Sequence, residues 1–469
     1  MLGFLIDQNQ KTTKYIVVVK IIKAIDRDPV EVEFDHAMEI LEVEKAAWSS
    51  SFYMRRPKKI TASCLIKGFW KMQKAGMNTF RNWALFCGKE RGQEVSKQAI
   101  DNRMSEETLD MAKQILKTAL NVRLDKKWLS TKKRELGCLL KFFNRVIIQD
   151  STTQQVADQL HELVGGNKTR GGMRALLRIQ TIFNFTEEKW EDFSIDKYSQ
   201  NDQSQAAFAL RSLQDRDLLL RDLGYFVMET LEQLIENHYV ITPYKSNINL
   251  YDEQANEIDL LELLRQNETT DKVVLVSKKK MLPMRLVAKK LSKAQKEKKI
   301  KQAKQKAHSN NNYTETYYEL LGYEIYLTNV DTTFMSVEQI GKLYGLRWYI
   351  EVLFKAWKSY FNFNTIFEKN KMSFQRTLIS MYLVLIQFVY LTNYVYQYFK
   401  VKVEQQGRLI SMQKFMDVCK CLLNEILAIS HVEQLDVLAR QFARHAVYEK
   451  RNKRNNMKQK YQYFNELSP

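Results

Sequence analysis

Residues Tyr344–Lys358 read YGLRWYIEVLFKAWK, and the spacing within this stretch decides how the rest of the chain is read. Tyr344, Arg347, Glu351 and Lys358 stand at offsets 0, 3, 7 and 14. At about 3.6 residues per turn, all four fall along one stripe of a helix. Leu343, Leu346, Ile350, Leu353 and Trp357 supply apolar contacts on the other faces. A carboxylate flanked on its own stripe by Arg and Lys has two explanations. One is intrahelical ion pairing, worth only ~0.2–0.5 kcal/mol per pair. The other is a metal ligand set among cationic and hydroxyl groups that grip phosphates.

Upstream, two acids close apolar runs. Asp150 follows Val146-Ile147-Ile148-Gln149, and Asp222 follows Leu218-Leu219-Leu220-Arg221. Both runs predict buried strands ending in a carboxylate. The rim of an α/β sheet holds such groups rigidly, and hard divalent cations require oxygen ligands. On spacing alone, either acid is also explained as a simple cap on the segment after its strand.

Composition points to the partner. The 469 residues carry 73 Lys and Arg against 54 Asp and Glu, a net charge of +19. That balance favours a polyanion, nucleic acid before an acidic membrane surface, over a merely solvated basic exterior. Apolar residues make up 45%, enough for a sizeable core and against wholesale disorder. Fifteen Gly and five Pro are few for this length, so long helices are expected. The five cysteines, Cys64, Cys87, Cys138, Cys419 and Cys421, form no CxxC pair. Neither a disulfide framework nor a zinc ribbon is expected, and a reducing cytoplasm fits. The N-terminal stretch lacks the features of a signal peptide. Thr377–Phe399 is uncharged over 23 residues, long enough to cross a bilayer. Polar Ser380, Gln387, Thr392, Asn393 and Gln397 interrupt it, so a buried core helix is the preferred reading.

The chain divides into consecutive regions. Residues 1–140 are mainly helical after an IVVVKII run; Ser96 and Ser105 are candidate N-caps of two helices compatible with helix-turn-helix DNA binding or with an ordinary bundle. Residues 141–240 alternate strands with a helix at Phe226–Asn237. Residues 241–335 hold short strands around a lysine-rich segment, where Lys278–Lys306 contains 13 basic residues against Glu297 alone. Such a run is a solvated helix or arm, or a phosphate-binding surface. Residues 336–405 carry the Tyr344–Lys358 helix and the apolar helix after it. Residues 406–469 end in a basic tail with interleaved aromatics.

The Tyr-x2-Arg-x3-Glu-x6-Lys stripe resembles the Tyr-Arg-Glu-Lys signature of bacterial insertion-sequence transposases. IIQDSTT around Asp150 and DLGYF around Asp222 are similar to the two earlier acidic motifs of that group. The resemblance covers most of residues 90–405. It implies an α/β fold: an RNase H-like catalytic core interrupted by a β-rich insertion, with helical N- and C-terminal regions. It also implies that Asp150, Asp222 and Glu351 are the catalytic acids and hold two Mg²⁺, with Mn²⁺ as a substitute. Tyr344, Arg347 and Lys358 are then expected to bind DNA phosphates. Lys245 stands near where relatives often carry an Arg. The base-stacking Trp of some relatives has no counterpart between Trp190 and Trp348, leaving Tyr244, Tyr251, Tyr317 or Tyr318 as replacements, or a step arranged differently.

The implied function is cut-and-paste DNA transposition through a hairpin by a cytoplasmic, nucleoid-associated bacterial enzyme. Its partners are double-stranded DNA (terminal inverted repeats and target) and a second copy of the chain, with no membrane. The competing reading is a catalytically silent DNA-binding protein on the same fold; a peripheral membrane protein would leave the Tyr-Arg-Glu-Lys stripe unexplained.

Overall fold

The computed structural model describes residues 36–57, 59–122, 139–169, 171–306, 314–360, 373–428 and 432–448. The IVVVKII run, Cys138 and the last part of the basic tail lie outside the described residues.

The first region is helical. Helix α1 (Ala62–Lys74) starts where the Thr61 hydroxyl accepts the Cys64 amide, and α2 (Phe80–Arg91) starts on Thr79 and stops at Gly92 in the left-handed region. Ser96 caps a short helix at Lys97–Asp101 through the Ala99 amide. Helix α3 (Glu106–Asn121) follows Ser105 and opens with Glu106 and Glu107, acids that suit a helix N-terminus.

The middle of the chain builds one sheet. Its strands are β1 (Val146–Gln155), β2 (Gly166–Thr169), β3 (Gly172–Asn184), β4 (Lys189–Lys197), β5 (Leu218–Arg221), β6 (Tyr239–Pro243), β7 (Leu250–Tyr251), β8 (Thr269–Val276), β9 (Leu282–Lys290) and β10 (Tyr323–Thr328). Their order is β2-β3-β1-β5-β6-β10-β9-β8-β7, with β4 on the free edge of β3. Pairs β4–β3 and β3–β1 are antiparallel, whereas β1–β5 and β5–β6 are parallel. Helix α4 (Met228–Asn237) makes the crossover between β5 and β6. The protein is thus mixed α/β with a central sheet, as expected. The strand-bearing stretch 241–335 is not a detached body: β10 lies antiparallel to β6 and continues the same sheet.

Two sequence expectations need correction here. Lys278–Lys306 is not one arm. Its first part is β9, whose Leu282, Met284, Arg285, Leu286, Val287 and Ala288 are buried, and only α5 (Lys293–Lys306) is a solvated helix. The Tyr344–Lys358 stripe is not one helix either. Helix α6 (Val337–Tyr344) gives way to a 3₁₀ turn at Gly345–Arg347 before α7 (Trp348–Tyr360) begins.

The uncharged run is interior. Helix α8 (Phe374–Val389), a π-helical turn at Tyr390–Val395 and α9 (Tyr396–Glu404) form one continuous rod whose residues are mostly buried. Helix α3 packs along it, and the Trp70 indole of α1 donates to the Leu383 carbonyl at 2.9 Å. Trp357 stacks on Phe388 within the same core, and Trp190 packs against Phe388 at a tilt. Each such side chain contributes on the order of 1.5–3 kcal/mol by burial. The N-terminal helices therefore share a core with the sheet and α7. Helices α10 (Met412–Leu427) and α11 (Val432–His445) close the fold.

Candidate functional site

The site lies where the parallel strands end. Asp150 does not close its strand, as its apolar run suggests; β1 continues to Gln155. Its parallel partner β5 stops earlier, pairing only as far as Gln149 with Arg221. Asp150 is therefore the first β1 residue beyond the edge of β5. Asp222 directly follows β5 and enters a 3₁₀ turn at Leu223–Tyr225. Both acids thus stand at one sheet rim, although 72 residues separate them.

Helix α7 brings the third acid to this rim. Leu346, Ile350, Leu353 and Trp357 are all buried, which leaves Arg347, Glu351 and Lys358 on the flank of the turn and helix that lies beside β1, while Trp348 on the far side is exposed. The Arg347 guanidinium then reaches all three acids. Its Nη1 donates to Asp150 Oδ2 at 2.6 Å, its Nη2 donates to Glu351 Oε1 at 3.0 Å, and Asp222 Oδ1 lies 3.8 Å from Nη2. The 3₁₀ turn does not prevent the Arg347–Glu351 pair, because the backbone keeps helical angles through it.

Exposure is uneven. The Asp150 and Arg347 side chains are 14% and 15% exposed, against 48% for Asp222 and 37% for Glu351. Burial pushes the Asp150 carboxyl up to about 7, although Arg347 pulls the other way. Desolvation here costs the carboxylate more than its ion pair returns. Burial also works against the Arg347 charge, but Tyr344 and the three acids raise its pKa overall.

The other expected residues occupy separate positions. Tyr344 packs on Tyr326, ring centroids 4.8 Å apart, and burial raises its hydroxyl. Lys358 donates to the Thr153 carbonyl of β1 at 2.8 Å, and burial lowers its pKa. Lys245 lies two residues beyond β6, on the rim that β5 and β6 share. Of the candidate stacking tyrosines, Tyr251 is buried in its own sheet and Tyr244 donates its hydroxyl to the Ile248 carbonyl.

One acid near the rim was not found from sequence. Asp202, in the loop after β4, accepts hydrogen bonds from Ser151 and Arg178. It follows no apolar run and belongs to no periodic pattern, so only the folded chain reveals it.

The chemistry of this set suits a hard cation: three carboxylates already surround one positive group. Among the described residues, no three His, Cys, Asp or Glu side chains are close enough together to ligate one ion, and at this rim the guanidinium stands among the acids.

Comparison with known proteins gives the family. Residues 141–386 match the transposase DDE domain family. The chain is 27% identical over 336 residues to the transposase for insertion sequence element IS231F of Bacillus thuringiensis subsp. israelensis, covering 66% of this chain and 69% of that one. It is 30% identical over 244 residues to the IS231D transposase of Bacillus thuringiensis subsp. finitimus, covering 47% and 50%. It is 27% identical over 316 residues to the IS1151 transposase of Clostridium perfringens, covering 62% and 64%. A piggyBac transposase synaptic complex with hairpin DNA overlays only loosely, with a TM-score of 0.39 and 10% identity over 94% of this chain and 87% of that one. The family match spans more than half of the sequence and includes all three rim acids, and the protein belongs to the transposase DDE domain family as a bacterial insertion-sequence transposase.

Proposed function

We propose that the protein is a cut-and-paste DNA transposase in which Asp150, Asp222 and Glu351 act as one catalytic triad. The observation that carries this reading is the Arg347 guanidinium, which touches acids from β1, the end of β5 and α7 at once. Three segments far apart in sequence converge on one charge cluster at a sheet rim, a costly arrangement for structure alone. The order β4-β3-β1-β5-β6, antiparallel and then parallel, supports an RNase H-like core.

In this reading, Asp150, Asp222 and Glu351 hold two Mg²⁺, or Mn²⁺ in their place. When bound, the ions activate the attacking water or 3′-hydroxyl and stabilise the leaving oxygen. Arg347, Lys358, Tyr344 and Lys245 hold the phosphates beside the cut. Water first nicks a transposon end. The freed 3′-hydroxyl attacks the opposite strand to give a hairpin, which is hydrolysed, and the 3′ ends join target DNA. Residues 1–140 recognise the ends, α5 and the basic tail add non-specific affinity, and a homodimer aligns two ends.

The test is cleavage of end-labelled DNA carrying the element's inverted repeats, with Mg²⁺ present. Asp150→Ala, Asp222→Ala and Glu351→Ala should each abolish every product while leaving DNA binding largely intact. Wild-type-like cleavage by any one of them contradicts the triad.

A further inference from the structure

Behind the rim, on the face of the sheet away from α7, lies a polar cluster that the proposed chemistry does not use. Neighbouring residues of a strand point to opposite faces, so Ser151 lies behind Asp150. On the adjacent strand, Gln180 pairs in register with Ser151. Asp202 sits over this patch. Its Oδ1 accepts from Ser151 Oγ at 2.8 Å, from Arg178 Nη1 at 2.9 Å and from Gln180 Nε2 at 3.3 Å. Ser151 Oγ also accepts from Arg178 Nη1 at 3.2 Å.

The same carboxylate touches the segment that carries Asp222. A Cβ built on Gly224 would lie 2.9 Å from Asp202 Oδ2, so Asp202 packs directly on the 3₁₀ turn. Tyr225, fully buried in that turn, donates to Gln180 Oε1 at 2.6 Å and joins the cluster from the other side. The Ser151 amide in turn donates to Asp150 Oδ1 at 2.8 Å. One loop carboxylate therefore connects to both acid-bearing segments, through Ser151 to Asp150 and through Gly224 and Tyr225 to Asp222.

We propose that Asp202 is a positioning residue for the catalytic acids, fixing the Asp150 segment against the Asp222 turn through Ser151, Gln180 and the Gly224 contact. This inference rests on the metal-binding reading of the three acids. The bonds are charge-assisted and largely shielded: the Arg178 side chain is 14% exposed and that of Asp202 is 25% exposed. Supporting contacts of this kind orient ligands, and their loss typically costs about 10–100-fold in metal affinity or activity.

The experiment is Mn²⁺ titration of the full chain, followed by the electron paramagnetic resonance signal of the free ion. Wild type, Asp150→Asn, Asp202→Asn and Ser151→Ala are compared, with melting temperature and DNA affinity measured on each. Ser151→Ala removes one hydroxyl and carries the test if Asp202→Asn fails to fold. The expected result is Mn²⁺ binding by wild type, its loss in Asp150→Asn, and binding about tenfold weaker in Asp202→Asn and Ser151→Ala, with DNA affinity unchanged. Undiminished Mn²⁺ affinity in a folded Asp202→Asn protein, or in Ser151→Ala where it stands in, overturns the role of Asp202 and leaves the triad standing. Wild type binding no Mn²⁺ that Asp150→Asn abolishes overturns the metal reading and the role of Asp202 with it.

Discussion

Arg347 donates to Asp150 at 2.6 Å although 197 residues separate them in sequence, and it bonds Glu351 from the next turn with its other terminal nitrogen. This guanidinium balances an acid cluster that would otherwise repel itself. Without metal, and above pH 7 where Asp150 is ionised, Arg347→Ala should destabilise the chain by up to about 3 kcal/mol, because a mostly buried carboxylate loses its partner. Mn²⁺ should then restore a larger share of the melting temperature than it adds to wild type. Melting curves in EDTA and in Mn²⁺ check this; an equal Mn²⁺ increment in both proteins contradicts it.

Arg347 and Lys358 should also separate the steps of the reaction. Hairpin formation crowds phosphates more than the first nick does. Arg347→Ala and Lys358→Ala should retain some nicking but lose hairpin formation or resolution, whereas Glu351→Ala should lose all steps. Lys358 is already bonded to the Thr153 carbonyl, so its loss should also loosen α7 against β1. Nicked, hairpin and fully cut products followed over time on an end-labelled substrate decide the point; equal loss of every product in all three variants contradicts it.

Asp150 sets a pH dependence in the metal-free protein. Burial raises its carboxyl from 3.8 to about 7, so the folded state favours the protonated form. The stability this contributes is complete below about pH 4 and is lost as pH rises through 7. Asp150→Asn cannot ionise. Its stability relative to wild type should therefore grow between pH 5 and pH 8, by at most ~3 kcal/mol. Unfolding midpoints in EDTA across that range test the sign, and parallel curves contradict it.

The exposed lysines of α5 should account for part of the non-specific DNA affinity. Replacing Lys293, Lys298, Lys301 and Lys304 with Gln should flatten the dependence of log K on log salt by about 0.9 for each phosphate no longer neutralised. An unchanged slope assigns α5 to solvent alone.

These predictions draw on features of unequal visibility in the sequence. The strands around Val146–Gln149 and Leu218–Arg221 were legible because buried parallel strands are continuously apolar. The position of Asp150 within its strand was not, because it depends on where β5 stops. Strand β9 was hidden by its company: Lys289 and Lys290 end it and the lysines of α5 follow, so charge masked six buried residues. The 3₁₀ turn at Gly345–Arg347 preserves the helical offset between Arg347 and Glu351, so the sequence period looks unbroken. Trp70 and α3 gave no sign that they cover α8; removing residues 1–130 would strip that core helix as well as any DNA-binding surface.

The central claim is that Asp150, Asp222 and Glu351 share metal ions at the rim where β5 ends. Anomalous diffraction at the manganese edge, from crystals of the full chain grown with Mn²⁺ and end DNA, tests it most directly. The account predicts manganese peaks liganded by Asp150, Asp222 and Glu351, with the Arg347 guanidinium withdrawn from among the acids. Manganese bound elsewhere while Arg347 still bonds Asp150 and Glu351 would contradict it.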